Sequence, residues 1–339
     1  MLKKVIVWTY LVLSILGFTT NAMAQEVTSP LFSSHSPLDL MIKANYNKLL
    51  KDVGENTDDH KAKIKYSDEN GKRHKIKIET ETRGNFRSNP SNCDFPPIQL
   101  EFEEFSDAEG TIFEGQEELK LVTHCQQEIA SYQRHVYREY VVYRLYNFLT
   151  PYSFQVRLCN INYKPRYWIK NNIKPAFLIE DNDMLAGRFD GEELDNDDDY
   201  QPVDSAQYAL LSLFEYMIGN TDWSVIPMQN LEIIRVDSNR HMPVPYDFDM
   251  SALVNPPYAA EAMQVDSLTF LEREYRGPAF SKKLIEKAVA TFNREKQEIL
   301  YFIKENALLN EQEKDRILSY IKDFYEEINR GNNEKVWIR

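Results

Sequence analysis

The segment 205–249 constrains the fold most, because it returns three separated polar positions to one place. Residues 205–218 carry Ala209, Leu210, Leu213, Phe214, Met217 and Ile218 at helical spacing and predict a buried helix. Gly219-Asn220-Thr221-Asp222-Trp223 follows, so Asp222 sits in a loop whose position a buried helix holds while its carboxylate stays exposed. Asn230-Leu-Glu-Ile-Ile-Arg-Val then predicts a strand, Asp237-Ser-Asn-Arg a turn, and 241–249 an extended return. Pro243 and Pro245 restrict that return to a sheet edge or to non-bonded positions. Asn230 opens this hairpin and Asp247 closes it, so its two ends meet. Asp247 and Asp249 are two residues apart in extended chain and point to the same side.

The rest of the chain supplies the frame. Residues 38–50 have apolar positions at helical spacing and predict a short opening helix. Alternating runs at 62–66 and 75–82 flank Asn70-Gly71, the strongest short hairpin signal. Runs at 97–102 and 118–123 predict two further strands around an acidic loop. Residues 129–149 predict a long helix through Val136, Tyr140, Val141, Tyr143, Leu145 and Phe148, stopped at Pro151. Strands are predicted again at 154–163 and 176–180. The polar run 181–204 lacks the spaced oxygens, central Gly and terminal Glu of a calcium loop and reads as a solvated acidic connection. Two helices, 282–306 and 311–329, end the chain. The expectation is an α+β molecule of two lobes. The first, 25–181, is strand-rich with helix 129–149, and the second, 182–339, is mainly helical and holds the loop and hairpin 219–249.

Residues 1–24 read as a secretory signal peptide: Lys3 and Lys4, an apolar run from Val5 to Phe18, then Ala22-Met23-Ala24. That run is short for a bilayer span and no later stretch approaches one, so the expected product is periplasmic or secreted, bacterial, with no transmembrane segment after cleavage. The net charge is −13, and removing the two leader lysines makes it about −15, which argues against a nucleic-acid backbone as partner. Export makes a disulfide among Cys93, Cys125 and Cys159 expected. Cys93 in a loop and Cys125 at a strand end form the expected pair, leaving Cys159 as a buried thiol inside a strand. No His-x-x-x-His and no Gly-x-Ser-x-Gly occurs, which argues against a zinc site and a serine nucleophile elbow.

Five short motifs, taken together, resemble the CotH-type spore-coat kinases, atypical secreted or spore-surface relatives of the protein-kinase fold. They are Arg83-Gly84-Asn85 after the hairpin, Leu119-Lys120-Leu121 before the long helix, Ala176 to Glu180, Gly219 to Trp223, and Tyr246-Asp247-Phe248-Asp249. The likeness is greatest to an exported bacterial group. It implies a two-lobed, protein-kinase-like fold and an Mg²⁺- and ATP-dependent transfer, by a phosphotransferase or a nucleotidyl transferase, to a protein or glycan hydroxyl. Such chemistry asks for an acid to orient the hydroxyl and oxygen ligands for magnesium. By the resemblance Asp222 orients the acceptor, Asp247 holds metal with Asp249 beside it, and Asn230, or its neighbour Gln229, is the second metal ligand. Glu139 matches the helix glutamate, with Lys120 as its ion-pair partner on phosphate, Arg83 as the alternative phosphate ligand, and Glu180 at the junction of the lobes. The chain carries no Gly-x-Gly-x-x-Gly lid. Two other functions fit the same residues. One is an inactive envelope binding or scaffold protein of the same shape; the other is a glycan hydrolase using Asp222 and Asp247 with Trp223, Tyr246 and Tyr258 as sugar platforms.

Overall fold

The computed structural model describes residues 29–54, 57–102, 105–165, 173–194, 202–236 and 240–330, so the signal-peptide expectation at 1–24 lies outside the described residues. Strand β1 (Leu38–Ala44) buries Leu40, Ile42 and Ala44 and turns the intervening positions outward, the period of a half-buried strand. A single helical turn, α1 (Tyr46–Leu49), follows it. Strands β2 (His60–Ser67) and β3 (Arg73–Thr82) form the hairpin that Asn70-Gly71 announces. Gly71 takes φ +78°, a conformation open to glycine, and the Asp68 carboxylate accepts the N–H groups of Asn70 and Lys72.

Strand β4 (Ile98–Glu101), the short helix α2 (Phe105–Ala108) and strand β5 (Glu118–Val122) lead to the long helix α3 (Ala130–Leu149). Strands β6 (Val156–Pro165) and β7 (Ile173–Ile179) complete the first half. These strands close into a barrel of order β1-β2-β3-β4-β5-β7-β6. Every pairing is antiparallel except β1 with β6, which runs parallel from Leu38 opposite Cys159 to Ala44 opposite Pro165. Ile42, Ile64, Ile76, Ile78, Leu100 and Leu178 fill the interior at 0–1% exposure, so the barrel is packed rather than hollow.

After the barrel come α4 (Asn182–Gly187), β8 (Glu192–Glu193) and the buried helix α5 (Ser205–Ile218). Strands β9 (Leu231–Val236) and β10 (Arg240–Pro245) join β8 in a sheet of order β10-β9-β8. The prolines of β10 therefore lie on an edge strand, where a missing N–H costs no ladder bond. The short helices α6 (Ala259–Ala262) and α7 (Ser267–Phe270) precede the amphipathic α8 (Lys282–Lys304) and α9 (Glu311–Asn329). Asn310 and Glu313 form a reciprocal capping box at the start of α9.

Two expectations are corrected here. Residues 38–50 are not one helix, because β1 takes the first seven and only α1 is helical. That strand also overturns the two-lobed protein-kinase-like fold with a strand-rich N-lobe and a helical C-lobe. By pairing with β6 it turns what would be an open sheet into a closed seven-stranded barrel, to which a small separate sheet and a helical layer are added. The helical layer covers one wall of that barrel. Val122, Val156, Leu158, Phe177 and Ile179 share a single core with α3, α5, α8 and α9.

Candidate functional site

Where the β3–β4 loop, α3 and the chain after β10 meet, one guanidinium faces three carboxylates. Arg87 lies 3.6 Å from Glu139, 3.0 Å from Asp247 and 3.3 Å from Asp249, with its side chain 9% exposed. Each partner is held by its own element. Glu139 projects from the middle of α3 and is 2% exposed. Phe248 is driven into the core against Tyr143 and Phe214, with centroids at 4.7 and 5.6 Å, and the residues flanking it, half-buried Asp247 and buried Asp249, both meet Arg87. Asp247 adopts φ +56°, a left-handed conformation that Asp tolerates, and its N–H donates to the Tyr143 hydroxyl at 2.8 Å. Asp249 accepts from the Tyr258 hydroxyl at 3.0 Å.

The loop that carries Arg87 is stapled to the barrel. Cys93 and Cys125 form a disulfide, Phe95 N–H donates to the Cys125 carbonyl at 2.9 Å, and Arg83 N–H donates to the Pro97 carbonyl at 3.0 Å. The expected pairing is the one formed, and Cys159 is a buried free thiol.

Asp222 approaches the same cluster from the other side. Helix α5 ends at Gly219 with φ +66°, and a Cβ there would meet the Ala252 Cβ at 2.8 Å, so the close approach requires glycine. The carbonyls of Ile218 and Gly219 accept N–H bonds from Leu253 and Ala252, which ties the chain after Asp249 to the start of the Asp222 loop. Asn230 completes the clamp. Its side-chain amide donates to the Asp222 carbonyl at 2.6 Å and to the Asp222 carboxylate at 3.2 Å, and its own carbonyl accepts from Tyr246 N–H at 3.1 Å. Gln229 donates to the other Asp222 oxygen at 2.5 Å. The hairpin ends thus bring Asp222, Asn230 and Asp247 together.

Electrostatics follow from this crowding. Burial, then the Asp247 charge, push the Asp222 carboxyl above the usual aspartate range, while Asn230 and Gln229 pull it back. Burial raises Glu139 and Asp249 more strongly, against the pull of Arg87. The Glu139 Oε1 atom is buried and has no hydrogen-bond partner among the described residues. Arg83 contributes a second positive charge, acting on Glu139, Tyr143 and Tyr246.

Lys120 and Glu139 do not form the expected ion pair. Lys120, on β5, donates to the Asn182 side-chain oxygen at 2.5 Å, lies 3.9 Å from Glu232, and sits over the rings of Phe154 and Tyr246 at 5.2 Å from each centroid. Burial lowers its pKa. Arg87 takes the place beside Glu139 that the sequence reading gave to Lys120. Glu180 is engaged elsewhere, in a two-point pair with Arg188 at 2.9 and 3.0 Å, and it also accepts from Gln155 N–H. No local signal in the sequence marks Arg87 rather than Lys120 as the cation that reaches Glu139.

The three aromatics considered as sugar platforms are spent on packing. Trp223 is 5% exposed, Tyr246 carries Lys120 against its ring, and Tyr258 packs tilted against Phe86 while bonding Asp249. Among the described residues no helix is long and apolar enough to cross a membrane. Comparison with protein-family models and with curated proteins finds no match to this chain.

Proposed function

We propose that this chain is a phosphotransferase, using Mg²⁺ and ATP to phosphorylate a hydroxyl of a protein or glycan. The observation that carries the reading is the convergence of Asp222 and Asp247 through Asn230, with Asp247 39% exposed in its side chain and the Arg83 charge acting on Glu139. The donor set suits a hard cation, since carboxylate and amide oxygens are what magnesium takes, and the buried Glu139 Oε1 has no hydrogen-bond partner among the described residues. Asp247, Asp249 and the Asn230 amide oxygen would hold the ion. When bound, it would neutralise charge on the transferring phosphoryl group.

The protein's own groups do the rest. Asp222 accepts the acceptor's hydroxyl proton as the new O–P bond forms and the bond to the departing nucleoside diphosphate breaks, the electron pair staying on that nucleoside diphosphate. The raised pKa of Asp222 makes it a better proton acceptor than an ordinary aspartate. Arg83 offers a fork of donors to phosphate oxygens, while Arg87 is committed to Glu139, Asp247 and Asp249. Gln229 and Asn230 fix the Asp222 carboxylate so that one face remains for the hydroxyl. Kinship with the CotH-type enzymes is part of this proposal at the level of the motifs. Export of the protein is supported by the leader-like residues 1–24 and by the Cys93–Cys125 bond.

One observation favours a second reading, an inactive binding protein. Arg87 already supplies a cation to all three carboxylates. Transfer of radiolabelled phosphate from ATP by the wild type and by Asp247→Ala tests the first reading, which fails if both give the same signal. The second reading expects no rise in melting temperature with Mg²⁺ and ATP.

A further inference from the structure

The barrel wall away from this site carries lysines in register with one another. On β1 and β2, Lys43 stands directly opposite Lys63; on β2 and β3, Lys63 stands opposite Lys77 and Lys65 opposite Lys75. Lys164 of β6 continues the first row beyond Lys43. Residues directly opposite in a sheet share a face at about 5 Å, and like charges there destabilise the pairing. Lys77 is bridged to Asp107 at 3.4 Å, and Lys164 also has a partner. Lys43, Lys63, Lys65 and Lys75 have no acidic partner among the described residues, and with Lys61 they line a groove of about 510 Å³.

A solvated outer face does not account for this register. Lysines guard exposed strand edges against pairing, but a closed barrel has no edge to guard. Solubility does not need them either, because the chain is already at −13. Most acidic residues of the same wall stand in a separate row, Glu79, Glu101 and Glu118 opposite one another across β3, β4 and β5, and the two rows meet where Lys61 faces Glu79 at 3.9 Å. Opposite charges placed across these pairs would have stabilised the barrel; instead the wall is split into a positive and a negative strip.

We propose that the lysine strip binds a linear anionic polysaccharide, one carrying carboxylate or phosphate groups along its chain. Three features select a narrow polymer. The unpartnered lysines lie on three adjacent strands, roughly 5 Å apart across the sheet and roughly 7 Å apart along it, so successive charges meet successive lysines. The negative strip begins at Glu79, two residues or roughly 7 Å from Lys77, which is inside the Debye length of about 8 Å at physiological ionic strength. A flat anionic membrane or a wide duplex would feel both strips, whereas a single polymer chain follows only the positive one. The strip also lacks the aromatic and leucine anchors of a membrane-binding face. This surface is independent of the phosphotransferase reading.

Affinity electrophoresis of the full chain through polygalacturonate tests it, with neutral dextran, phosphatidylglycerol vesicles and duplex DNA as the other arms. The expected result is retardation by polygalacturonate alone, weakened roughly tenfold or more between about 50 and about 200 mM salt. The variant Lys43→Gln/Lys63→Gln/Lys65→Gln/Lys75→Gln should bind roughly tenfold more weakly, while Lys282→Gln/Lys283→Gln on α8 binds as wild type. Should the fourfold variant fold poorly, polygalacturonate must still protect Lys63 and Lys65 of the wild-type chain from acetylation. Unchanged binding by the fourfold variant, or no protection, overturns the proposal. Binding to vesicles or DNA as tight as to polygalacturonate overturns the choice of partner.

Discussion

Arg87 is the residue on which the site depends, because it is the cation that three buried or half-buried carboxylates share. Removing one member of a buried charged group leaves the others uncompensated, at a cost of about 3–5 kcal/mol. Arg87→Ala should lose that much in urea unfolding, with Arg87→Lys losing less. The pH dependence has a definite sign. Without the guanidinium, Glu139 and Asp249 rise further above their unfolded values, so the folded variant binds protons that the unfolded chain releases, and stability falls as pH rises. The penalty of Arg87→Ala should therefore be largest at alkaline pH and shrink in acid; a pH-independent difference would mean that the cluster does not act as one group. Asp222 offers a second test, tied to the proposed reaction. Gln229 lowers the Asp222 pKa through its hydrogen bond, so Gln229→Ala should raise it and move the acid limb of the pH–rate profile to higher pH. Much of this site was legible as residues: Asp222, Asn230, Asp247 and Glu139 do gather. Their cation was not, because Lys120 and Arg87 are both basic residues on the chain side of α3. Only the disulfide-stapled loop decides which one reaches Glu139.

At the scale of elements, α5 shows what an apolar pattern conceals. Its spacing predicted a buried helix, and the same burial encloses Glu215 at 1% exposure, with neither carboxylate oxygen partnered among the described residues. Burial pushes this carboxyl up to about 8, so it is protonated at neutral pH in the folded protein. In the unfolded chain it titrates near the ordinary value for glutamate. Between those two values the folded state holds the extra proton, so Glu215 makes the protein lose stability as pH climbs from about 4.5 to about 8, with no further loss above. Glu215→Gln keeps the shape without the ionisation. It should match wild type near pH 5 and exceed it near pH 9, as followed by denaturant midpoints; equal stability at both would place the charge elsewhere. Strand β1 failed to be legible for a different reason. Seven residues of strand run almost directly into a one-turn helix, so Leu38, Ile42, Tyr46 and Leu49 together mimic helical spacing across two elements. Its importance is measurable: Ile42 is 1% exposed inside the barrel, and Ile42→Ala should cost about 2–5 kcal/mol.

Across the whole molecule, barrel closure depends on pairing β1 with β6, more than a hundred residues apart, and no local pattern marks such a contact. The cysteines were readable because chemistry limits their choices: one sits inside a strand and two sit in positions free to meet. The Cys93–Cys125 bond spans 32 residues that include β4 and β5, and it holds the Arg87 loop against the barrel mouth. By loop-closure entropy a cross-link of that span stabilises by about 3–4 kcal/mol. Cys93→Ser/Cys125→Ser should lower the unfolding free energy by that order. The loss should also be uneven, because the barrel and helical core keep their packing while the loop bearing Arg87 loses its staple. Hydrogen exchange should thus rise first at residues 84–95, before the strands. Cys159 provides the internal clock for this experiment. Its thiol is fully buried and pushed up to about 12, so it reacts with an alkylating reagent only from opened molecules. In the double variant, its labelling should remain slow under conditions where residues 84–95 already exchange. Labelling of Cys159 in step with that loop would mean that the staple holds the barrel itself, and that the site and its scaffold unfold as one unit.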